Sequence, residues 1–347
     1  MHMADALISP AVGGTMWVIS AGAIGYCSNK INKTLDDFKV PLMGVMGAFV
    51  FAAQMINFTI PGTGSSGHIV GALLLSILLG PYAALIVIAS VLLVQALIFA
   101  DGGLLSLGCN IFNMGIIPCL IAYPLIYRVT VGKTSGNSRI WLASIITALI
   151  SLQLGAFSVV CETAISGISE LPFKGFTLLL LPIHLPIGLV EGIITASVLI
   201  LIKNNRPELL TNLQLKEYPN QSSYKNIIIT FILASFLIGG VVSWFASKNP
   251  DGLEWAIDKT TNGTELSSSS SSTHINAEKI QATTAFFPEY AFESNHETKA
   301  SEASSVNTVN LGRSTAGIIG ALITLLFALL AGRLLKYKSI KMLPAKE

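Results

Sequence analysis

The first two residues, Met1 and His2, carry nitrogen atoms that are well suited to bind a transition metal. A free α-amine, the amide nitrogen of residue 2 and the imidazole of residue 2 can close two adjacent chelate rings on one ion. Four nitrogen donors in a plane suit Ni(II) or Cu(II). Since three donors come from two residues, a fourth nitrogen has to come from another part of the chain. The alternative is that His2 is an incidental surface residue, because chain ends are often frayed.

Composition identifies the kind of scaffold that would position this N-terminus. The chain has 347 residues, of which 52% are hydrophobic and 12% are charged, whereas charged residues make up about 25% of soluble domains. Several apolar runs approach the ~20 residues that a helix needs to cross a bilayer. No Lys or Arg precedes the first run, so the basic region of a secretion signal is missing. The sequence therefore predicts an all-α polytopic membrane protein embedded in a lipid bilayer.

The first 206 residues contain seven predicted spans. They lie at about residues 7–26, 41–58, 68–79, 82–100, 104–127, 140–161 and 177–202. Clusters of Lys and Arg follow the first, fifth and seventh spans, and the loops on the opposite face hold one basic residue, Lys174. Because cytoplasmic loops are enriched in Lys and Arg, we expect a seven-helix bundle with its N-terminus outside.

The remainder of the chain predicts a second membrane unit. Residues 207–224 are expected to form a cytoplasmic linker, and residues 225–347 a two-helix unit with spans at 227–245 and 315–335. Residues 246–313, which join those spans, are polar and include a serine run, so we expect a long, flexible extracytoplasmic loop. His274 and His296 fall in this loop and are expected at the surface.

His68 is the candidate for the fourth nitrogen. It opens the third span at the face predicted to be outside, on the same side as His2, and ionisable residues at membrane depth are functional candidates. The preceding stretch, residues 62–67 with Ser66, is rich in Gly and Ser and lets a neighbouring chain approach closely. The inserted N-terminus would be such a neighbour. The alternative is that His68 only caps this loop.

Other polar residues are predicted to surround the pocket. His184, at the outer start of the seventh span, is the rival fourth donor, although a hydrogen-bonding role beside the site fits it better. Glu191 lies two turns deeper on the same helix face. Asp101 follows the fourth span, and Asn110 and Asn113 share one face of the fifth. The alternative for the two amides is hydrogen bonding between helices, worth about 0.6–2 kcal/mol.

Several functions are excluded by missing motifs. The segment 132–134, Gly-Lys-Thr, resembles the end of a P-loop, but Tyr127 occupies the position of the first glycine. The chain has no HExxH motif and no other catalytic constellation. We therefore expect a chain without its own ATPase site, not an enzyme, and no nucleic-acid partner.

These motifs together resemble the CbiM/NikM family, the substrate-binding components of energy-coupling-factor transporters for cobalt and nickel. The resemblance covers about residues 1–206, and residues 249–255 resemble the PDGLE signature of a NikN-type accessory unit fused to it. The segments that carry the family resemblance are the Met-His start and residues 65–72, 101–103, 110–114 and 191–196.

The resemblance implies a metal site and a division of labour. The ion would be held by the Met1 amine, the His2 amide and imidazole nitrogens and a His68 imidazole nitrogen, which requires an unformylated Met1. Asp251 and Glu254 of the accessory unit are candidate carboxylates for first capture of the ion, or else part of a helix-terminal turn. A coupling transmembrane subunit and two ABC-type ATPase subunits would supply energy.

The same resemblance implies a transported ion and a location. Nickel or cobalt would be cargo and not a cofactor, and the fused PDGLE-like unit favours nickel. Cobalt import by the same mechanism, or a gradient-driven secondary transporter, remains the alternative. The expected location is the bacterial inner membrane.

Overall fold

The computed structural model describes residues 1–31, 35, 38–132, 136–169, 171–205, 221–263, 271–290 and 302–341. Within these residues, six helices are long and apolar enough to cross a membrane. The predicted class of all-α polytopic membrane protein is therefore confirmed. The outside location of the N-terminus stays a prediction, as does the predicted cytoplasmic linker, of which residues 207–220 lie outside the described part of the chain.

The N-terminal unit begins with a 3-10 turn and continues through seven helices and one hairpin. Its elements are the turn Asp5–Leu7, α1 (Pro10–Ile31), α2 (Lys39–Gln54), β1 (Phe58–Ile60), β2 (Ser65–Gly67), α3 (Ala72–Leu79), α4 (Pro81–Ile98), α5 (Leu107–Val131), α6 (Asn137–Ser166) and α7 (Phe173–Asn205). The middle of α5, Phe112–Tyr127, winds as a wider π-helix and contains Pro118 and Pro124. Proline lacks a backbone N–H, so it interrupts the ordinary α-helical ladder.

The third predicted span differs from the prediction. Residues 68–71 are not helical, and α3 has only eight residues, which is about 12 Å against a hydrocarbon core of about 30 Å. Gly71 begins α3 with φ +75° and lies so close to α2 that a Cβ there would be 2.8 Å from Val50 Cγ1. Apolar composition alone did not show this break, which leaves His68 in a non-helical segment before α3.

The C-terminal unit places two long helices beside α2. Its elements are α8 (Gln221–Gly240), the 3-10 turn Val242–Phe245, α9 (Gly252–Thr261), α10 (Ser272–Thr284), the turn Pro288–Tyr290 and α11 (Glu302–Lys341). Helices α8 and α11 approach closely at two glycines, since a Cβ on Gly239 would lie 3.1 Å from the Gly317 carbonyl. Small residues at such crossings permit tight helix packing in membranes.

In its described parts, residues 246–263 and 271–290, the segment between those long helices is not the flexible loop that its composition predicts. Residues 252–261 and 272–284 are helical, and they pack on the N-terminal unit. Helix α9 buries Leu253 and Ala256, and α10 buries His274. The few apolar side chains of this segment are therefore enough to fold its two helices onto the N-terminal unit, because they are combined with helix caps and polar contacts. Most of the serine run, residues 264–270, lies outside the described part of the chain.

Candidate metal centre

The N-terminal segment is inserted into the helix bundle. Met1 is 6% exposed, and Met3 is fully buried. The Met3 backbone N–H donates to Asn110 Oδ1 at 2.8 Å, and the Met3 carbonyl accepts from the backbone N–H of Gly103 at 2.9 Å. The side chains of Ser106 and Asn110 also donate to that carbonyl. A frayed chain end, which was the alternative for His2, is not what the structure shows.

The Met1 amine, His2 and His68 lie next to one another. The amine nitrogen is 3.5 Å from His68 Nε2. The rings of His2 and His68 are stacked, with centroids 5.2 Å apart and an interplanar angle of 20°. A cavity of about 10 Å³ adjoins them and is lined by Met1, His68, His184 and Asp251, among others. The first two residues and His68, which is 67 positions from Met1, thus converge on one point.

Both nitrogens of the His2 ring have partners. His2 Nδ1 is 3.2 Å from Asp101 Oδ1, and His2 Nε2 is 3.1 Å from Gln95 Oε1. The Tyr290 hydroxyl, from the C-terminal unit, donates to the other oxygen of Asp101. Sequence analysis predicted Asp101 near the pocket, but it missed Tyr290, which belongs to a segment that it treated as a flexible loop.

Electrostatics keep the two imidazoles neutral. Burial lowers the pKa of His68 to about 3, and the positive charge of the neighbouring amine acts in the same direction. Burial also lowers the pKa of His2, against the opposing effect of Asp101. Neutral imidazole is the form that binds metals. His68 therefore has a lone pair available near neutral pH.

The segment that carries His68 is held by α7 and by the C-terminal unit. His68 Nδ1 lies 3.1 Å from the Ile69 carbonyl, a contact that leaves Nε2 turned to the amine. The Glu191 carboxylate accepts from the backbone N–H groups of Val70 and Gly71 at 2.9 and 3.0 Å. Glu191 therefore fixes the backbone that follows His68. Ser66 donates its backbone N–H to the Pro250 carbonyl at 2.8 Å.

The remaining predicted residues lie around this centre. His184 Nδ1–H donates to the Leu180 carbonyl at 2.7 Å, and His184 lines the small cavity. Asn113 Nδ2 donates to Glu162 Oε2 at 2.8 Å and lies 3.7 Å from Met3 Sδ. Glu162 was missed by sequence analysis, although a buried acid in an apolar span is the kind of signal that could have found it.

The PDGLE-like segment reaches the Met1 amine directly. Asp251 Oδ2 lies 2.6 Å from that nitrogen, and the side chains of Met1 and Asp251 are 4% and 15% exposed. Burial alone would raise the pKa of Asp251, but the amine outweighs burial and holds it below its usual range. Glu254 closes a capping box with Asp251 at the start of α9. A helix-terminal turn, one of the two alternatives for this pair, is therefore present.

His274 corrects a further prediction. It was expected at the surface, yet it is 2% exposed. Its Nε2 lies 3.1 Å from the Asp5 carbonyl and 2.9 Å from the Ile8 carbonyl. The histidine therefore ties α10 to the N-terminal segment, over a separation of more than 260 residues that no local pattern indicates.

The groups that converge at this site and could bind a metal are nitrogen donors. The described residues hold no group of three His, Cys, Asp or Glu side chains arranged as metal ligands. The groups that do converge are the amine and the two imidazoles. A larger pocket of about 460 Å³ adjoins His2 and His68, with Asp101, Asp251 and Glu254 in its wall, together with two basic residues.

Comparison with protein families gives the decisive match. Residues 2–209 match the CbiM family, described as the cobalt uptake substrate-specific transmembrane region. The chain belongs to the CbiM family. Residues 225–337 match the PDGLE domain. The resemblance drawn from the Met-His start and the PDGLE-like segment is thereby confirmed.

Individual relatives agree with this assignment. A putative metal transport protein of Haloquadratum walsbyi is 36% identical over 212 residues, which are 60% of this chain and 93% of that protein. A putative fused nickel transport protein NikMN of Archaeoglobus fulgidus is 36% identical over 210 residues, 60% of this chain and 68% of that protein. A crystal structure of a transition metal transporter has a TM-score of 0.53 and 29% identity, covering 62% of this chain and all of that one.

This CbiM-family chain is therefore a multi-pass membrane component of nickel or cobalt transport. The family and the relatives are metal transport proteins and not enzymes. The ion is accordingly cargo.

Proposed function

We propose that the chain captures Ni(II) on the outer side of a bacterial inner membrane, as the substrate-specific component of an ATP-driven energy-coupling-factor importer. Four nitrogens would hold the ion in a plane: the Met1 amine, the His2 amide, His2 Nδ1 and His68 Nε2. The observation that carries this proposal is the 3.5 Å approach of the buried Met1 amine to His68 Nε2.

The distance between the Met1 amine and His68 is close to what such a plane needs. Metal–nitrogen bonds of about 2 Å place adjacent corners of a square about 2.8 Å apart, so the amine and His68 have to approach by less than about 1 Å. His2 Nδ1 would exchange its contact with Asp101 for the ion. Selection would come from geometry, because raw affinity favours copper over nickel and nickel over cobalt.

The larger pocket would give the ion a path to the His2 ring. Carboxylates of Asp101, Asp251 and Glu254 in its wall would attract a divalent cation to the edge of the His2 ring. We propose Asp251 and Glu254 as first-capture groups in this sense, with the four nitrogens as the final ligands.

We favour nickel over cobalt as the transported ion because two units are fused in one chain. We propose that the chain has two units, at residues 1–206 and 225–347, joined by a linker. Relatives that are named fused nickel transport proteins occur in Archaeoglobus fulgidus and Rhodobacter capsulatus. Cobalt is the second candidate, since other relatives are named cobalt transport proteins. A yellow, diamagnetic Ni(II) complex of the purified chain would show a square plane.

The energy source would lie in separate subunits, namely a coupling transmembrane subunit and two ABC-type ATPases. The alternative is a gradient-driven secondary transporter. Co-purification of the tagged chain from its native membrane distinguishes these two energy sources. ATPase subunits that accompany the chain support the proposal, and ion uptake that continues without any ATPase contradicts it.

One added residue before Met1 tests the metal site. Intact mass first establishes that the purified chain starts with unformylated Met1. The extension moves the amine by about 3.8 Å, and the cavity of about 10 Å³ has room for about one water molecule. We expect at least a hundredfold loss of nickel affinity, measured by spectral titration. The same residue added at the C-terminus is the control, and undiminished affinity of the N-terminal extension would refute the site.

A further inference from the structure

We propose that Asp251 is the positioning residue for the Met1 α-amine, so that the PDGLE segment builds part of the metal site in the N-terminal unit. This inference deepens the proposed function and rests on it in one respect, namely that the amine is a metal ligand. The contact between Asp251 and the amine involves only groups of the chain itself and can be tested without a metal.

The contact is a buried ion pair across the two units. Asp251 Oδ2 lies 2.6 Å from the Met1 nitrogen, and both groups are largely shielded from water. The two residues are 250 positions apart in sequence. When one member of a buried pair is removed, the other is left as an uncompensated charge. Moving the amine away from Asp251 would therefore cost free energy, so the ion pair keeps the amine beside His68.

The two carboxylate oxygens of Asp251 accept hydrogen bonds from different groups. Oδ1 accepts the backbone N–H groups of Leu253 and Glu254 at 2.9 and 2.8 Å, which caps α9. This cap fixes the side chain and leaves Oδ2 for the amine. A carboxylate that is already locked by its own helix has little conformational freedom to lose, which makes it a suitable anchor for a flexible chain end.

The backbone around Asp251 is fixed to the strand that leads to His68. Ser66 forms a parallel bridge with Asp251, and its backbone N–H donates to Pro250. The Trp255 indole N–H donates to the Thr63 carbonyl at 2.9 Å. The PDGLE segment thus joins the edge of the β1–β2 hairpin at β2, through one isolated parallel bridge. One segment therefore sets the position of the amine and of the strand that ends one residue before His68.

The same contact suits the empty and the loaded site. A free ammonium group has three N–H bonds, and an amine bound to a metal retains two. One of these can still donate to Asp251 Oδ2 while the lone pair points to the ion. Carboxylates that accept from metal ligands orient them, and their loss typically costs 10–100-fold in metal affinity.

Asp251→Asn isolates this role. Asparagine caps helices about as well as aspartate, but the NH2 group that replaces one oxygen cannot accept from the amine. Asp258→Asn is the matched control, because Asp258 is exposed on the same helix. Thermal unfolding of both variants in detergent monitors the fold.

The first readout uses the full chain without metal. An amine-reactive reagent is added, and the rate of labelling of the Met1 amine is followed by mass spectrometry of the N-terminal peptide. We expect Asp251→Asn to label at least about tenfold faster than the parent chain, and Asp258→Asn to label at the parent rate. Equal rates for Asp251→Asn and the parent would overturn the inference.

The second readout is nickel binding by the same variants. We expect Asp251→Asn to lose about 10–100-fold in affinity and to keep the parent spectrum, because the four nitrogens are unchanged. Unchanged affinity overturns the positioning role, and so does a changed spectrum, which would make Asp251 itself a ligand. If the N-terminal extension leaves nickel binding intact while Asp251→Asn labels fast, the proposed metal site fails and the amine contact stands.

Discussion

Gly103→Ala should weaken metal binding by a displacement that the structure allows us to estimate. Gly103 lies against the N-terminal segment, and its N–H donates to the Met3 carbonyl. A Cβ on Gly103 would lie 2.6 Å from the Asp5 backbone nitrogen, and closer still to the Asp5 carboxylate. Since ordinary contacts begin near 3.4 Å, the segment has to move by roughly 1 Å.

The size of the effect follows from where that displacement acts. The Asp5 carboxylate cannot simply swing away without cost, because it accepts from the Ser106 N–H at 2.8 Å. Inserting an extra methyl into a packed site typically costs about 1–3 kcal/mol, which is roughly 5- to 150-fold in an equilibrium constant. We expect a loss of this size in nickel affinity, since the displaced segment carries Met1 and His2.

The assay is a nickel titration of the purified full chain, followed by its visible spectrum. Gly14→Ala is the matched control, because a Cβ at Gly14 in α1 meets nothing within 4 Å. We expect the control to bind as the parent does and to be slightly more stable, as Ala favours helices over Gly. Parent-like affinity in Gly103→Ala would refute the idea that the inserted N-terminus supplies the ligands.

Three further outcomes are expected. Glu191→Gln should cost about 1–3 kcal/mol in stability, because one backbone N–H after His68 loses its acceptor; a melting temperature equal to the parent's would contradict this. His274→Ala should speed hydrogen exchange in residues 3–9, since two carbonyls there lose their partner; mass spectrometry would detect it, and unchanged exchange would show that α10 does not hold the segment. Nickel affinity should rise with pH by up to about a hundredfold per unit, because the amine and the amide each lose a proton. Since burial lowers the pKa of His68 to about 3, this imidazole should add no further proton between pH 6 and 8; calorimetry in buffers of different ionisation enthalpy counts the protons, and four per ion would contradict this.

Local chemistry was enough to predict the membrane class and the candidate ligands. Apolar runs of about 20 residues have one stable solution in a bilayer, and six of the described helices have the length and composition to cross it. The chelating potential of Met1 and His2 depends on covalent neighbours, so it is visible without a fold. His68 was conspicuous because few histidines occur in the apolar part of the chain.

Prediction failed where a residue depends on a distant partner. The extended residues before α3 depend on the close approach of Gly71 to Val50, which an apolar pattern does not encode. The segment after α8 is polar in composition, yet it folds because Tyr290 and His274 find partners in the N-terminal unit. Composition measures only how much apolar surface a segment can bury.

The sequence by itself determined that this chain is a helical membrane protein with a potential nitrogen chelate at its start. Tertiary structure alone decided that the Met1 amine lies 3.5 Å from His68 Nε2 and that Asp251 contacts this amine. The physical reason is that a chelate ring is closed by bonds along the chain, whereas contacts between residues 67 or 250 positions apart exist only once the helices have packed.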